Sequence, residues 1–288
     1  MRLCPRCGES LSGDSWSCSE CGNDPELRDG IPLLSPEAAG AEEGFKDASF
    51  ELLQEVEEES FWFRARNELV TWAVRRYLRP AEEMLEVGCG SGFVLSGIRR
   101  EFPQLRLTAA DASPAALKIA QRRVPDATLL QLDARTLPFT EEFDVVGAFD
   151  VIEHIDDDES ALGAIASAVR RGGGVVITVP QHPWLWSAND EYGHHRRRYT
   201  RRDLVDKVRR AGLEILRVTS FVTIPLPAMA LSRRRQRDLE SFDPMAEYRC
   251  SPRLNAVLEQ CLRFETALIR RGLSLPAGGS LLLVARRP

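Results

Sequence analysis

The stretch "EMLEVGCGSGFVLSGI", residues 83–98, decides the fold of this chain. Met84 to Val87 form a short apolar run that predicts a strand. Gly88, Gly90 and Gly92 follow at alternate positions, and an apolar helical pattern begins directly after them. A glycine turn between a strand and a helix lets a ligand approach the backbone N–H groups at the start of the helix. The G-x-G-x-G spacing differs from the G-x-G-x-x-G of the dinucleotide fingerprint, so the loop alone does not identify the ligand.

The chain after this loop keeps alternating between strand and helix patterns. Further predicted strands end at Asp111 and Asp133 and span Asp144 to Phe149, Val175 to Val179, 213–222 and 281–288, while helices are predicted over Pro114 to Arg123, Asp157 to Arg170 and 252–272. Strands that alternate with helices indicate an open parallel sheet with helices on both faces. We therefore predict an α/β, doubly wound fold.

Four motifs in a fixed order make the prediction more specific. They are EVGCGSG at 86–92, DAS at 111–113, LDARTLPF at 132–139 and FDVV at 143–146. From about residue 60 to residue 288 the chain resembles the class I S-adenosylmethionine-dependent methyltransferases. The resemblance implies a mostly parallel seven-stranded sheet with an antiparallel seventh strand. It also implies an enzyme in which an acceptor oxygen or nitrogen attacks the methyl group of S-adenosylmethionine.

The same resemblance implies a set of cofactor contacts. The glycine loop and Glu86 would hold the methionine end of the cofactor, Asp111 would bind the ribose hydroxyls, and Asp133 would face the adenine. The complete predicted set is Glu86, Gly88, Gly90, Gly92, Asp111, Ala112, Asp133, Ala134 and Asp150.

Two C-x-x-C-G motifs lie at the start of the chain, "CPRCG" at 4–8 and "CSECG" at 18–22. Four thiolates at the spacing of Cys4, Cys7, Cys18 and Cys21 suit a tetrahedral Zn²⁺ ion, whereas a redox dithiol needs only one such motif. A closed four-cysteine site leaves no open coordination position, so the predicted zinc is structural. Cys89, Cys250 and Cys261 are predicted to stay outside any disulfide.

With "DGIP" at 29–32, this region resembles the small zinc-ribbon proteins that bind and activate methyltransferases. It is also similar to the ribbon that begins some bacterial large-subunit rRNA guanine methyltransferases. We predict a zinc ribbon over 1–36, an acidic linker or helix over 37–59, and a methyltransferase domain over 60–288. A helical insertion is predicted at about 225–278 within that domain.

"DVIEH", residues 150–154, places Asp150, Glu153 and His154 after the fourth predicted strand, where open parallel sheets bind their ligands. Three hypotheses stay open here. The segment begins the next helix, or His154 is a general base with a pKa near its usual value of about 6.5. Alternatively the cluster holds a divalent cation such as Mg²⁺, since ubiquinone-pathway O-methyltransferases and small-RNA ribose methyltransferases carry a similar E-x-x-E-H.

The loop after the fifth strand supplies further candidates, in "PQHPWLWSANDEYGHHRRRYT", residues 180–200. Its histidines at 182, 194 and 195 are candidates for the later histidine that the similar RNA enzymes add to this motif, and those at 194 and 195 are predicted to face His154. The predicted catalytic set is His154, Glu153, His194 and His195, and the predicted acceptor contacts are Trp184, Trp186, Arg197 and Tyr199. Plain packing of the tryptophans and solvation of the arginines are the alternatives. The stretch resembles one in a bacterial methyltransferase subgroup.

Charge and hydropathy narrow the functional classes. The net charge is -5, although residues 196–210 and Arg233 to Arg237 are basic. Neither a signal peptide nor an apolar stretch of roughly 18 residues is present, so a cytoplasmic location is expected. We predict methylation of a small-molecule or glycan-like acceptor, on a hydroxyl. RNA methylation is the first alternative and a non-catalytic binding module on the same scaffold is the second. The oligomeric state is left without a prediction.

Overall fold

The computed structural model describes residues 1–13, 15–38, 47–78, 80–235 and 249–288. Two predicted features fall partly outside these ranges. They are residues 39–46 of the predicted acidic linker and residues 236–248 of the predicted insertion, which include Arg237 of the second basic run.

Strands and helices alternate along the described chain, as the sequence pattern predicts. The strands are β1 Leu27–Arg28, β2 Ile31–Pro32, β3 Glu83–Val87, β4 Arg106–Asp111, β5 Thr128–Gln131, β6 Phe143–Phe149, β7 Val169–Pro180, β8 Glu214–Phe221 and β9 Ser280–Arg286. The helices are α1 Asp47–Glu57, α2 Phe61–Tyr77, α3 Phe93–Glu101, α4 Pro114–Arg123, α5 Asp158–Ala168, α6 Ala188–Tyr192, α7 Arg201–Arg210, α8 Leu226–Arg235 and α9 Pro252–Arg270.

Seven strands form one sheet in the order β5-β4-β3-β6-β7-β9-β8. The pairs from β5 to β7 are parallel, while β9 is antiparallel to both β7 and β8. This confirms the predicted doubly wound, mostly parallel sheet with one antiparallel strand. The strand order reverses between β3 and β6, and the crevice at such a switch point is where open α/β sheets bind ligands.

The core lies on both faces of the sheet. Met84 and Val145 pack against α2, α3 and α9 on one face, whereas Leu85 and Val146 pack against α5 and α7 on the other. All four side chains are fully buried. Continuous apolar strands are typical of parallel sheets that are covered on both sides.

Several boundaries differ from the predictions: β7, for example, begins at Val169 rather than at Val175, and two other differences concern candidate site residues. The third strand ends at Gln131, two residues before Asp133. The segment after β6 does not begin the next helix: Ile152–His154 form a separate 3₁₀ turn and α5 starts at Asp158. The hypothesis of a helix start at Glu153 is therefore wrong. The physical reason is local, because Asp150 has a φ of 57° and the Asp157 side chain accepts a hydrogen bond from Ser160 N at 3.0 Å as the cap of α5.

The N-terminal ribbon docks on the exposed edge of β5. Leu34 N donates to Gln131 O at 2.8 Å, and the Gln131 side chain bonds both backbone groups of Ser35. Trp16 adds an edge-to-face contact with Phe139, at 5.7 Å between ring centroids. A bare sheet edge presents unpaired N–H and C=O groups, and the ribbon covers this one. None of the helices in the described ranges is long and apolar enough to cross a membrane.

Candidate functional site

A cavity of about 570 Å³ opens at the carboxyl ends of β3, β4 and β6. All the predicted cofactor residues line it except Gly92: Glu86, Gly88, Gly90, Asp111, Ala112, Asp133, Ala134 and Asp150. Gly92 instead caps α3, and a Cβ there would lie 3.1 Å from the backbone of Ala120 on α4. Gly92 therefore serves the packing of two helices, and its contact with the cofactor stays a prediction.

The glycine loop has a backbone conformation and a close packing that require glycine. Gly88 and Gly90 have φ values of 67° and 53°, which side chains rarely adopt. A Cβ on Gly88 would lie 2.4 Å from Val151 Cγ2, so no other residue fits without moving the loop after β6. Gly90 N donates to Asp111 Oδ2 at 2.8 Å, which ties the loop to the end of β4. The result is a cradle of backbone against which a ligand can lie closely.

Glu86 supplies a buried carboxyl group beneath this loop. It is 2% exposed, and its Oε2 has no hydrogen-bond partner among the described residues. Burial raises the pKa of Glu86 to about 8, with the negative charges of Asp111 and Glu57 adding to the effect against the opposing charge of Arg66. A cationic ligand with N–H donors would satisfy this group, and the methionine end of S-adenosylmethionine carries an ammonium. The residues present thus fit that cofactor.

Arg66 is a cavity residue that the sequence did not reveal. Its side chain donates to Asp150 and lies over the Trp62 ring at 4.5 Å. Asp150 also accepts a hydrogen bond from Thr178 Oγ1 at 3.0 Å. Arg66 belongs to α2, which precedes the glycine loop and the later motifs in the chain. The one sequence signal for a role in the cavity is an arginine on an otherwise apolar face of the helix. It brings a buried positive charge beside the glycine loop.

Beyond the cofactor residues, the cavity meets a cluster of Glu153, His154 and His195. Their carboxylate oxygen and ring nitrogens all lie within 4.8 Å of one another. The His154 and His195 rings meet edge to face, at 4.6 Å between centroids. Glu153 is completely buried, and neither of its carboxylate oxygens has a hydrogen-bond partner in the described part of the chain.

Asp190 orients the His195 ring of this cluster. It accepts from His195 Nδ1 at 2.8 Å and from Arg198 Nε at 2.7 Å, and it is fully buried. Burial alone would raise the pKa of Asp190, but the hydrogen bond from His195 and the charge of Arg198 hold it well below its usual range. Asp190 is therefore a fixed negative charge that holds the His195 ring in place.

Burial lowers the pKa of His154 to about 3, and the neighbouring His195 contributes. The expectation of a pKa near 6.5 for His154 is therefore wrong. Burial raises the pKa of Glu153 well above its usual range, and the charge of Asp150 adds to this. Burial therefore favours the neutral form of both groups.

Several other predicted residues lie away from the cavity. His182, Trp184, Trp186, His194, Arg197 and Tyr199 are absent from its lining, while Asn189, Tyr192, His195 and Arg198 of the same loop are present. Tyr199 is fully buried and donates to Asp158 Oδ2 at 2.5 Å, and Arg197 pairs with the same carboxylate at 2.8 Å. Side chains alternate along an extended segment, so Arg198 faces the cavity while its two neighbours face Asp158.

The two tryptophans of this loop point to solvent. Trp184 is 60% exposed and Trp186 is 38% exposed. Trp186 Nε1 donates to Glu191 Oε1 at 2.7 Å. The predicted role of Trp184, Trp186, Arg197 and Tyr199 as acceptor contacts therefore has no geometric support.

The four cysteines of the ribbon come together as predicted. Cys4 Sγ and Cys21 Sγ are 3.6 Å apart, and Cys7 Sγ and Cys18 Sγ are 3.7 Å apart. Tetrahedral zinc with Zn–S bonds of about 2.3 Å requires sulfurs about 3.8 Å apart, so the residues fit a Zn²⁺ ion. No disulfide links any of the seven cysteines.

Comparisons with known proteins agree with this geometry. An O-methyltransferase of ubiquinone biosynthesis from Alkalilimnicola ehrlichii is 32% identical over 101 residues, 33% of this chain and 40% of its own length. A demethylmenaquinone methyltransferase from Thermotoga maritima is 30% identical over 97 residues, 33% of this chain and 42% of its own length. The chain thus spans about two fifths of the length of these curated relatives.

One chain of a solved complex between the Trm112 methyltransferase activator of Haloferax volcanii and a methyltransferase has the same fold. It superposes with a TM-score of 0.53 at 19% identity, over 84% of this chain and 94% of that one. The profile of the methyltransferase-domain family matches residues 54–218, which is more than half of the 288 residues. That stretch contains the glycine loop, Asp111, Asp133 and the Glu153–His154–His195 cluster, and the chain belongs to the methyltransferase-domain family.

Proposed function

We propose that the chain methylates a hydroxyl group of a small amphipathic acceptor, with S-adenosylmethionine as the methyl donor. One observation carries the proposal: a single cavity connects the glycine loop and Asp111 with the Glu153–His154–His195 cluster. A donor held at the first end and an acceptor held at the second would meet inside that cavity. Holding both reactants in place is a large part of the catalysis in such a reaction.

The cofactor end follows from the residues described above. S-adenosylmethionine, when bound, supplies an activated methyl group. Asp111 would accept hydrogen bonds from the ribose and Asp133 would face the adenine, while Glu86 would meet the ammonium. Arg66 lines the same cavity and its charge acts on Glu86, and we assign it the carboxylate of the methionine end.

The proton of the acceptor hydroxyl goes to His195 in our proposal. Asp190 accepts the hydrogen bond of Nδ1, which leaves Nε2 of a neutral His195 as the acceptor atom. His154, with its pKa lowered to about 3, is a weak base and instead packs against the His195 ring. We therefore move the role of general base from His154 to His195.

A divalent cation at the same cluster is the second candidate mechanism. The buried carboxyl group of Glu153 favours it, because neither oxygen has a hydrogen-bond partner among the described residues and a cation would supply one. Two imidazoles and one carboxylate suit Zn²⁺, Mn²⁺ or Fe²⁺, whereas Mg²⁺ prefers oxygen ligands. A bound cation would polarise the acceptor hydroxyl. Asp150, the first acid of the D-x-x-E-H motif, pairs with Arg66 and is not part of this ligand set.

The acceptor wall is mixed in chemistry. Phe61, Trp62, Met229, Leu254 and Leu258 give it an apolar surface, and Asn189, Tyr192, Ser232 and Arg233 add polar groups. Such a wall suits a molecule with an apolar body better than it suits a glycan-like acceptor. The names of the quinone-pathway relatives support the same choice. RNA methylation remains the alternative, and it requires an affinity for RNA that falls steeply with salt.

The N-terminal zinc ribbon has a structural role in the proposed function. In the Haloferax volcanii complex an activator and a methyltransferase are separate chains, and here a zinc ribbon docks on β5 within one chain. We propose that the ribbon stabilises the adenine side of the cavity. Ala38, two residues past the ribbon, lines the same cavity as Ala112 and Asp133.

Two experiments test the proposal. Calorimetry should detect binding of S-adenosylmethionine and S-adenosylhomocysteine, and a chain that binds neither is a scaffold without this activity. Transfer of a labelled methyl group should then be measured with a panel of acceptors that contains hydroxylated aromatic compounds and hydroxylated carboxylic acids. His195→Gln should abolish transfer without loss of cofactor affinity.

EDTA separates the two mechanisms. If His195 acts as the base, turnover survives EDTA; if the cluster holds a cation, turnover is lost and returns with Zn²⁺ or Mn²⁺. Glu153→Gln is the matched variant, since it keeps the shape of the side chain and removes the carboxyl group that could bind a cation. EDTA could also remove zinc from the ribbon. The metal content of the protein is therefore measured before and after the treatment, to show whether the ribbon has kept its zinc.

A further inference from the structure

We propose that Glu57 and Arg123 are positioning residues of the cofactor site, which together hold helix α1 and Ser91 in place at the glycine loop. This inference rests on the cofactor of the proposed function, S-adenosylmethionine. It extends the cofactor site to a helix from the acidic segment 37–59, for which the sequence predicts no part in the site.

Helix α1 packs against the glycine loop at the cofactor end of the cavity. Phe50, Leu53 and Glu57 are spaced so that they share one face of the helix, and all three line the cavity. A Cβ on Gly90 would lie 3.5 Å from Phe50 Cε1, so the Phe50 ring lies within van der Waals reach of the loop. Helix α1 therefore forms part of the wall of the cofactor site.

Glu57 joins α1 to the glycine loop and to α4. Its Oε1 accepts a hydrogen bond from Ser91 Oγ at 2.5 Å, and its Oε2 pairs with Arg123 Nη1 at 2.6 Å. Arg123, at the end of α4, also donates to Ser91 O at 3.2 Å and to Ser91 Oγ at 2.8 Å. Glu57 and Ser91 are buried, and the Arg123 side chain is 12% exposed. Charge-assisted hydrogen bonds are strongest where water is excluded, so these three residues fix one another.

The position of Glu57 within α1 indicates a tertiary role. It is the last residue of the helix, where the negative end of the helix dipole disfavours a carboxylate. Arg123 balances this buried charge, and the loss of either partner would leave the other uncompensated. Helix α1 has only 11 residues, and helices of this length are marginal in water without packing partners. Its place at the loop therefore depends on the buried contacts of Phe50, Val56 and Glu57.

Docking of α1 and binding of the cofactor should reinforce each other. A molecule whose α1 has left the loop lacks part of the wall of the site, so the apparent affinity falls with the fraction of molecules in which α1 is docked. If loss of the Glu57–Arg123 pair leaves α1 docked in about a tenth of the molecules, the dissociation constant of the cofactor rises about tenfold. By thermodynamic reciprocity, the bound cofactor should in turn hold α1 in place.

Calorimetry with S-adenosylhomocysteine tests the proposal on the full chain. Glu57→Gln should raise the dissociation constant about tenfold, because the neutral amide has no charge to pair with Arg123. The matched control is Glu55→Gln, the same change on the same helix at an exposed residue that pairs with Arg249 at 3.3 Å, and it should bind as wild type does. Arg123→Gln should weaken binding as Glu57→Gln does. The double variant should lose no more affinity than either single variant, since both changes remove one shared contact.

Hydrogen exchange gives a second measurement that needs no variant. In wild type, S-adenosylhomocysteine should slow amide exchange in α1, and Glu57→Gln should remove most of that protection. Wild-type α1 whose exchange does not respond to the ligand overturns the inference.

A purely structural role for the pair would also overturn it. In that case Glu57→Gln would lower the melting temperature and leave the affinity for S-adenosylhomocysteine unchanged. That result removes this inference alone, whereas wild type that binds neither S-adenosylmethionine nor S-adenosylhomocysteine removes the proposed function together with it.

Discussion

The ribbon and the cofactor cavity should be energetically coupled through Gln131, and Gln131→Leu tests this. Gln131 is completely buried, and its side chain makes three hydrogen bonds. Oε1 accepts from Ser35 N at 3.2 Å, and Nε2 donates to Ser35 O at 2.8 Å and to Ala112 O at 3.1 Å. Leucine keeps the approximate volume of the side chain and removes all three bonds.

The magnitude follows from these contacts. At about 1 kcal/mol for each hydrogen bond, the free energy of unfolding should fall by about 3 kcal/mol. Ser35, the partner in two of the three bonds, is buried, so water cannot replace those two bonds, and this value is the lower end of the range. Because Ala112 lines the cavity, affinity for S-adenosylmethionine should fall by about tenfold, or about 1.4 kcal/mol.

Urea denaturation and calorimetry measure the two effects. The matched control is Gln121→Leu, which removes an exposed bond of 3.5 Å to Asp29 O in the ribbon and should change the free energy of unfolding by less than about 0.5 kcal/mol. The reasoning fails if Gln131→Leu changes stability no more than Gln121→Leu does. It also fails if stability falls and cofactor affinity stays the same, because the ribbon would then be only an attachment.

The remaining predictions concern the cofactor cradle and the zinc site. Since the pKa of Glu86 is raised to about 8, the folded chain keeps a proton that the unfolded chain loses above about pH 4.5, so the stability of the apoprotein should fall by about 1.4 kcal/mol per pH unit from about pH 4.5 to 8. Glu86→Gln should flatten that slope in urea titrations at several pH values. Gly88→Ala should lower the free energy of unfolding by about 2–4 kcal/mol, because it adds left-handed strain to a clash with Val151, and thermal melts check this. Asp111→Ala should weaken S-adenosylmethionine binding by about 1–3 kcal/mol in calorimetry, and an unchanged dissociation constant would place the ribose elsewhere. Elemental analysis of protein purified without chelator should find one zinc per chain, and its absence would remove the four-cysteine site.

The sequence predicts those parts of the site that depend on local patterns. The glycine loop, the ends of β4 and β6 and the paired cysteine motifs are short segments whose backbone needs are visible in residue types. Arg66 was missed because its pairing with Asp150 joins residues 84 apart in the chain. Tyr199 was misplaced because adjacent side chains of an extended segment face opposite ways, and the packing around Asp158 decides which way each one points. The pKa of His154 was misjudged because burial is a tertiary property.

The position of β9 has a consequence for how the chain is made. β9 hydrogen-bonds to β7 on one side and to β8 on the other, yet it is synthesised after both. When the nascent chain has left the ribosome only as far as β8, β8 has no neighbouring strand to pair with. The edge of β7 is then also unpaired. Such an intermediate exposes an unpaired strand and apolar surface, the combination that chaperones recognise and that favours aggregation. During translation, β9 thus joins β8 to the five parallel strands and completes the seven-stranded sheet.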